Sequence, residues 1–173
     1  MARVPLIDEN QVELAGLIEK IRGARGGRLI NIYRLLLHSP PLAEAWFNLN
    51  QAARYGTEID GRCRELVIMR VAILNRCDYV IKTHASQYAL KEGLTREQID
   101  KLAEWRGSAL FNAKELALLA YSDAITRDIE VPDAVFADVR KHFTERQTVE
   151  LTMLIGAYNM LTRVLSALKV DPE

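Results

Sequence analysis

Glu65, Cys77 and His84 are the residues whose types and spacing can do chemistry: one carboxylate, one thiol and one imidazole within a single apolar, helix-forming stretch, residues 65–84. Cys77 and His84 are seven positions apart, about two helical turns, which places them on one face roughly 10 Å apart along the axis. Asn75 interrupts the stretch, because Asn is a poor interior helix residue and a good N-cap. One helix is therefore expected to end near Leu74 and another to open near Arg76. If the chain reverses there, Glu65, ten residues before the break, comes level with His84, nine residues after it. A carboxylate at hydrogen-bond distance raises a histidine's pKa and fixes its tautomer, as a general acid/base requires. A continuous helix would separate the two by roughly 28 Å and exclude the pairing. With Asn75 as cap, Cys77 falls in the first turn, where free amides and the helix dipole favour a thiolate and Asp78 opposes it. Each residue also has a purely structural reading: a hydrogen-bonded helix-face histidine, a buried filler cysteine, a glutamate at a helix start.

The rest of the 173-residue chain must position these groups. Lys plus Arg and Asp plus Glu are equal at 23 each, and no basic run or aromatic-interleaved basic stripe occurs. A nucleic-acid partner is therefore not expected. The N-terminus lacks the apolar core of a signal peptide, and no apolar stretch reaches the roughly 18 residues of a membrane span, so a soluble cytoplasmic protein without a membrane partner is expected. Cys63 and Cys77 are too few for a disulfide framework. His38 and His142 lie in unrelated segments and no ligand cluster has zinc spacing, so no metal is expected.

Apolar residues at 14, 17, 18 and 21 predict an amphipathic helix over 11–22 that stops at Gly23. Gly23, Gly26 and Gly27 with Arg22, Arg25 and Arg28 then read first as a plain basic loop and second as a phosphate cradle, since the lysine and Ser/Thr of a P-loop are absent. A second helix is expected over 29–37 and a third from Pro41 to about Tyr55, with a face of Leu42, Ala45, Trp46, Leu49 and Ala53 for core or subunit contact. Asp60 caps the helix that carries Glu65. The next helix is expected over 76–92, ended by Gly93. Thr95 with Gln98, and Thr144 with Gln147, form two capping boxes, opening a short helix to about Trp105 and a last helix over 145–168. Further helices are expected over 112–126 and from Pro132 to about His142. No alternating strand pattern appears, so the class is all-α.

Arg64-Glu65-Leu66 resembles Lys114-Glu115-Leu116, and Leu94-Thr95-Arg96-Glu97-Gln98 resembles Phe143-Thr144-Glu145-Arg146-Gln147, with offsets of 50 and 49. A degenerate internal helical repeat follows. Adding 50 to Cys77 and His84 gives Arg127 and Ala134, so only the first copy is equipped for chemistry.

The combination Arg64-Glu65-Leu66-Val67, Cys77-x-Tyr79, His84, and Gly93-Leu94 with Glu97 and Ile99 resembles the carboxymuconolactone decarboxylase and alkyl hydroperoxidase D superfamily. The likeness extends to Leu119-Ala120-Tyr121-Ser122-Asp123 and Tyr158-Asn159-x-x-x-Arg163. It implies a single domain over 1–173, with an N-terminal helical extension over 1–34 before a common core over 35–170, and a helical bundle assembling as a homo-trimer or homo-hexamer. The hydroperoxidase branch implies a Cys-x-x-Cys pair between Glu65 and His84, the second cysteine attacking peroxide and the first resolving it. Cys77 matches the first, and Val80 stands where the second should be. Cys63, fourteen residues before Cys77, cannot replace it if a helix fills most of the interval, because about 20 Å would then separate the sulfurs. The decarboxylase branch lacks the cysteine pair, keeps the histidine, and implies loss of carbon dioxide from a carboxylated lactone with no metal or organic cofactor.

Three readings follow. The first is a cofactor-independent, lyase-like enzyme on a small organic acid, with His84 as general acid/base, Glu65 as its orienting partner, Cys77 and Tyr79 lining the pocket, and Arg163 holding a substrate carboxylate. The second is a one-cysteine thiol peroxidase using Cys77. The third is a non-catalytic oligomeric scaffold, which Glu65 and His84 on opposite faces would favour.

Overall fold

The computed structural model describes residues 2–173, and among these no strand occurs. A 3-10 turn, Val12–Leu14, leads into α1 (Ala15–Gly23), followed by α2 (Asn31–Leu36), α3 (Pro40–Tyr55) and α4 (Gly61–Leu74). The chain continues through α5 (Asp78–Gln87), α6 (Arg96–Lys101) with a 3-10 turn at Leu102–Glu104, α7 (Ala113–Arg127), α8 (Asp133–Arg140) and α9 (Glu145–Leu168). Pro40 and Pro41 occupy the first turn of α3, where a missing N–H costs nothing. Both sequence-predicted capping boxes form: Thr95 with Gln98, and Thr144 with Gln147. A third, Asn112 with Glu115, opens α7.

α4 is the central element. Residues 63–72 are buried without interruption, so this helix has no solvent face and packs against α5, α7 and α9. Such a helix must pair every charge it carries. Arg70, 1 % exposed, is fixed by Asp123 of α7 through two bonds of 2.5 and 2.9 Å and by the carbonyl oxygens of Leu102 and Ala103. Asp60 accepts the Cys63 N–H at 2.7 Å and caps the helix start.

The order α4–α5–α6 recurs as α7–α8–α9, in register with the sequence repeat. The repeated glutamates diverge in use. Glu115 serves its own capping box and accepts Arg62 Nε at 2.6 Å, whereas Glu65 is turned to the neighbouring α5.

The break after α4 differs from expectation. Asn75 is the C-cap of α4, not the N-cap of α5; its side chain holds Asn159 Oδ1 and Thr162 Oγ1 on α9, each at 2.9 Å. Arg76 adopts a left-handed φ of 52°, and the Arg76 and Cys77 amides bond back to Ile73 and Ala72 at 3.1 and 2.9 Å, a Schellman ending. α5 therefore opens at Asp78 with Cys77 as its non-helical N-cap, and it ends at Gln87, five residues short of the predicted end. Glycine is the residue favoured at the position of Arg76, so Arg76→Gly should raise the urea midpoint, with a gain of about 0.5–1 kcal/mol.

α3 buries part of the predicted stripe, Trp46 and Ala53, and leaves Leu42 and Ala45 exposed. Its buried residues are Ala43, Trp46, Phe47, Asn50, Ala53 and Arg54, while Leu42 is 62 % exposed. α9, read from sequence as too short an apolar run to span a bilayer, is long and apolar enough to do so, and half of that stretch is buried inside the molecule. The segment before α1 lies along α2 and the end of α9, with Arg3 N bonded to Leu168 O at 2.8 Å and Arg34 Nε to Ile7 O at 3.0 Å.

Candidate active site

Reversal of the chain between α4 and α5 brings Glu65 and His84 level. His84 Nδ1 lies 2.5 Å from Glu65 Oε2, with Glu65 wholly buried and His84 5 % exposed. Glu65 Oε1 accepts Arg54 Nη2 from α3 at 3.3 Å and has Arg64 Nε at 3.7 Å. The imidazole stands between two phenol rings, Tyr88 at 4.9 Å and Tyr158 of α9 edge-on at 5.9 Å. It lines a small chamber of about 40 Å³, room for one small group. Helical spacing builds two of the walls: Trp46, Asn50 and Arg54 lie at i, i+4, i+8 on α3, and Val80, His84 and Tyr88 repeat that spacing along and just past α5. Arg25, from the loop after α1, closes another side.

Glu65 sits below its ordinary pKa. Burial pushes it up, but the bond from His84 and the positive Arg54 and Arg64 outweigh burial and keep it ionised. His84 is also lowered, contrary to the expectation that a carboxylate partner raises it. Loss of hydration dominates, Glu65 opposes it, and the two guanidiniums add repulsion. The pair is thus a carboxylate and a neutral imidazole whose Nδ1–H donates to Glu65. Nε2 keeps its lone pair and has no hydrogen-bond partner among the described residues. Tyr158 is pushed up to about 12, chiefly by burial, and stays a neutral phenol.

Between His84's folded value and its ordinary 6.5, the unfolded chain binds the proton and the folded chain does not. Stability should fall as pH drops below 6.5, and again from about 4.5 down through Glu65's lower folded value, where the unfolded chain takes up the proton first. A proton-NMR titration of the His84 ring should show its midpoint below that of a free histidine; a midpoint above it would reverse the assignment.

Cys77 is buried, yet it lines a different cavity, about 330 Å³, with Arg76, Asp78, Lys82, Lys169 and the C-terminal residues. Seven-residue spacing therefore does not bring it to the His84 chamber. Tyr79 lines both cavities, with its O–H given to Glu173 at 2.8 Å. Burial and that carboxylate push its phenol far up. Arg163 lines neither cavity: it is exposed and held by Asn159 of its own helix, with Oδ1 at 2.5 Å. Among the described residues no group of three His, Cys, Asp or Glu side chains is placed to hold a metal ion.

Residues 40–124 match the model of the carboxymuconolactone decarboxylase family. The uncharacterized protein YdfG of Bacillus subtilis is 33 % identical over 114 residues, spanning 65 % of this chain and 77 % of YdfG. The chain belongs to the carboxymuconolactone decarboxylase family. Among solved structures, ATU0492 of Agrobacterium tumefaciens, a protein of unknown function proposed as an antioxidant defence protein, AhpD, superposes with a TM-score of 0.75 at 27 % identity, covering 80 % of this chain and 95 % of that one. An uncharacterized peroxidase-related protein from Silicibacter sp. TM1040 shares the fold over 99 % of this chain and 92 % of its own, with a TM-score of 0.84 at 20 % identity.

In this member of the carboxymuconolactone decarboxylase family, Val80 occupies the chamber wall one turn before His84, so that wall carries no sulfur there. Both cysteines are free thiols. Cys63 is pushed up to about 12 by burial and by Asp60, which keeps it a protonated thiol at pH 8. Native protein should show no Cys63 labelling by a thiol reagent at that pH, as peptide mass mapping would read directly.

The sequence reading missed Arg25, Asn50, Arg54 and Tyr88. Tyr88 carried a usable signal, four residues after His84. Arg54 and Asn50 share spacing with Trp46, but nothing local to α3 says that this face meets Glu65.

Proposed function

We propose that the protein is a cofactor-independent, lyase-like enzyme that moves a proton on a small carboxylated substrate. His84 is the general acid/base, and Glu65 orients it and offsets its transient positive charge. One observation carries this reading: a neutral imidazole held at 2.5 Å by a buried, arginine-flanked carboxylate, with its second nitrogen unengaged at a chamber. In a decarboxylation the carbon–carbon bond breaks, its electron pair stays on carbon as an enolate, and carbon dioxide leaves. Nε2 takes a proton from water and delivers it to that carbon. The lowered pKa of His84 makes the imidazolium a strong donor.

Proton NMR in heavy water against a panel of carboxylated lactones tests this reading. Loss of the carboxyl group with deuterium at the adjacent carbon, unchanged in Cys77→Ala, is the expected result. A peroxide-consuming activity that needs Cys77 and an external dithiol, with no turnover of the lactones, would install the thiol-peroxidase reading instead. That second reading draws on the Cys77 cavity, where Arg76, Lys82 and Lys169 gather, and on the antioxidant role proposed for ATU0492. A scaffold without catalysis fits less well, because Glu65 and His84 share a bond and do not lie on opposite faces.

The homo-oligomer expected from the resemblance has a surface to use. Val149, Met153 and Met160, 63, 54 and 48 % exposed, form with Gly156 an apolar stripe at three-and-four spacing along α9. The stripe continues into an apolar groove of about 350 Å³ walled by Leu42, Leu49 and Val164. We assign this face to contact between copies, and light scattering of Met153→Lys/Met160→Lys should report a smaller particle than wild type.

A further inference from the structure

The charges around Glu65 do not balance once the half-buried Arg25 is counted. Arg54, 4 % exposed, and Arg64 share its carboxylate, and Arg64 also binds Glu92 at 2.7 Å. Arg25 lines the same chamber, bonded to the Tyr33 hydroxyl at 3.0 Å and Asn50 Oδ1 at 2.9 Å, and has no carboxylate within ion-pair distance among the described residues. The Nε–H groups of both Arg25 and Arg54 are buried without an acceptor. A buried guanidinium N–H without an acceptor, on a cation without a counter-ion, is costly. No Asp or Glu lines the chamber, and its remaining walls include Ile30, Ile32, Val80 and Leu161, which strengthen any charge interaction inside it.

We propose that Arg25 and Arg54 form a two-armed clamp for the carboxylate of a small organic acid, which their free Nε–H groups bind beside His84. A chamber of about 40 Å³ takes a carboxyl group and little more. The rest of the acid extends past Arg25, Ile30 and Tyr88 into an adjoining pocket of about 170 Å³, whose walls these three residues share with Arg28, Gln51 and Tyr55. Arg25 thus stands between entrance and chamber. It comes from outside the family-matched segment 40–124, on a loop that turns back through Gly26 and Gly27 at φ of +62° and +82°. Carboxylate selection is then a property of this chain's N-terminal segment. The proposal deepens the function above and rests on it only for what happens to the bound acid; the clamp binds whether or not His84 is catalytic.

Isothermal titration calorimetry with sodium glycolate at fixed ionic strength tests it. Wild type should give saturable one-to-one binding, and Arg25→Gln should weaken it about tenfold or more. His84→Gln alters one wall of the chamber but neither arginine, so it should still give saturable one-to-one binding. If that variant binds but retains full turnover of a substrate, the clamp stands and the catalytic reading fails. If Arg25→Gln is not folded by circular dichroism, Arg25→Lys takes its place, since it keeps the charge but loses the fork and should still weaken binding. No saturable heat from wild type, equal binding by Arg25→Gln, or equally tight binding of inorganic phosphate would each overturn the carboxylate clamp.

Discussion

Replacing His84 by Gln should lower turnover of the protein's carboxylated substrate by about 10²- to 10⁴-fold while the fold survives. Glutamine can still donate to Glu65 across the 2.5 Å contact and still fill the space between Tyr88 and Tyr158. It cannot carry a proton. The loss should lie in kcat, because Nε2 acts in the chemical step while Arg25 and Arg54, not the imidazole, hold the carboxylate. Glu65→Gln should also be impaired, through the imidazole it no longer orients, and should melt earlier because Arg54 and Arg64 lose their shared buried partner. Wild-type rates in His84→Gln would remove the histidine from the mechanism.

Asp123→Ala should destabilise the fold by about 3–5 kcal/mol, read as a lower urea midpoint. For a chain of this length that corresponds to roughly 6–20 °C in Tm. The physical reason is the neighbour left behind. Arg70 is almost wholly buried, and Asp123 is its only carboxylate partner among the described residues. Asp123 also accepts Trp105 Nε1 at 3.3 Å and Arg106 Nη1 at 2.7 Å; the alanine variant strands buried donors of Arg70 and Trp105, while the exposed Arg106 turns to water. Burial raises the Asp123 pKa, but Arg70 and Arg106 hold it below its ordinary 3.8. Its contribution is therefore complete above that value and lost as pH falls through the lower folded one. An apolar double replacement, Arg70→Met with Asp123→Leu, should recover much of the deficit. A midpoint for Asp123→Ala within about 1 kcal/mol of wild type would show that water reaches Arg70.

What the sequence determined by itself was local or symmetric about a local feature. Thr95 and Thr144 each formed the capping box that their three-residue spacing to Gln98 and Gln147 predicts, because a cap needs only its own first turn. Glu65 met His84 because both lie on helices joined at a tight reversal, where equal distance from the break gives equal height. The same reasoning failed for Cys77. Its backbone is extended, φ −95° and ψ 91°, so the helical wheel that puts it beside His84 does not apply to it.

Only the tertiary structure decided which charges surround that pair. Arg54 arrives on α3 and Arg25 on a loop that reads as plain, and no periodicity within either segment points toward α4. Burial beneath these segments, and after it the charges of Arg54 and Arg64, are also what turns His84 down when its carboxylate alone would turn it up. A pKa sums desolvation and charge over every element packed around the group, and that sum exists only once distant segments have come together.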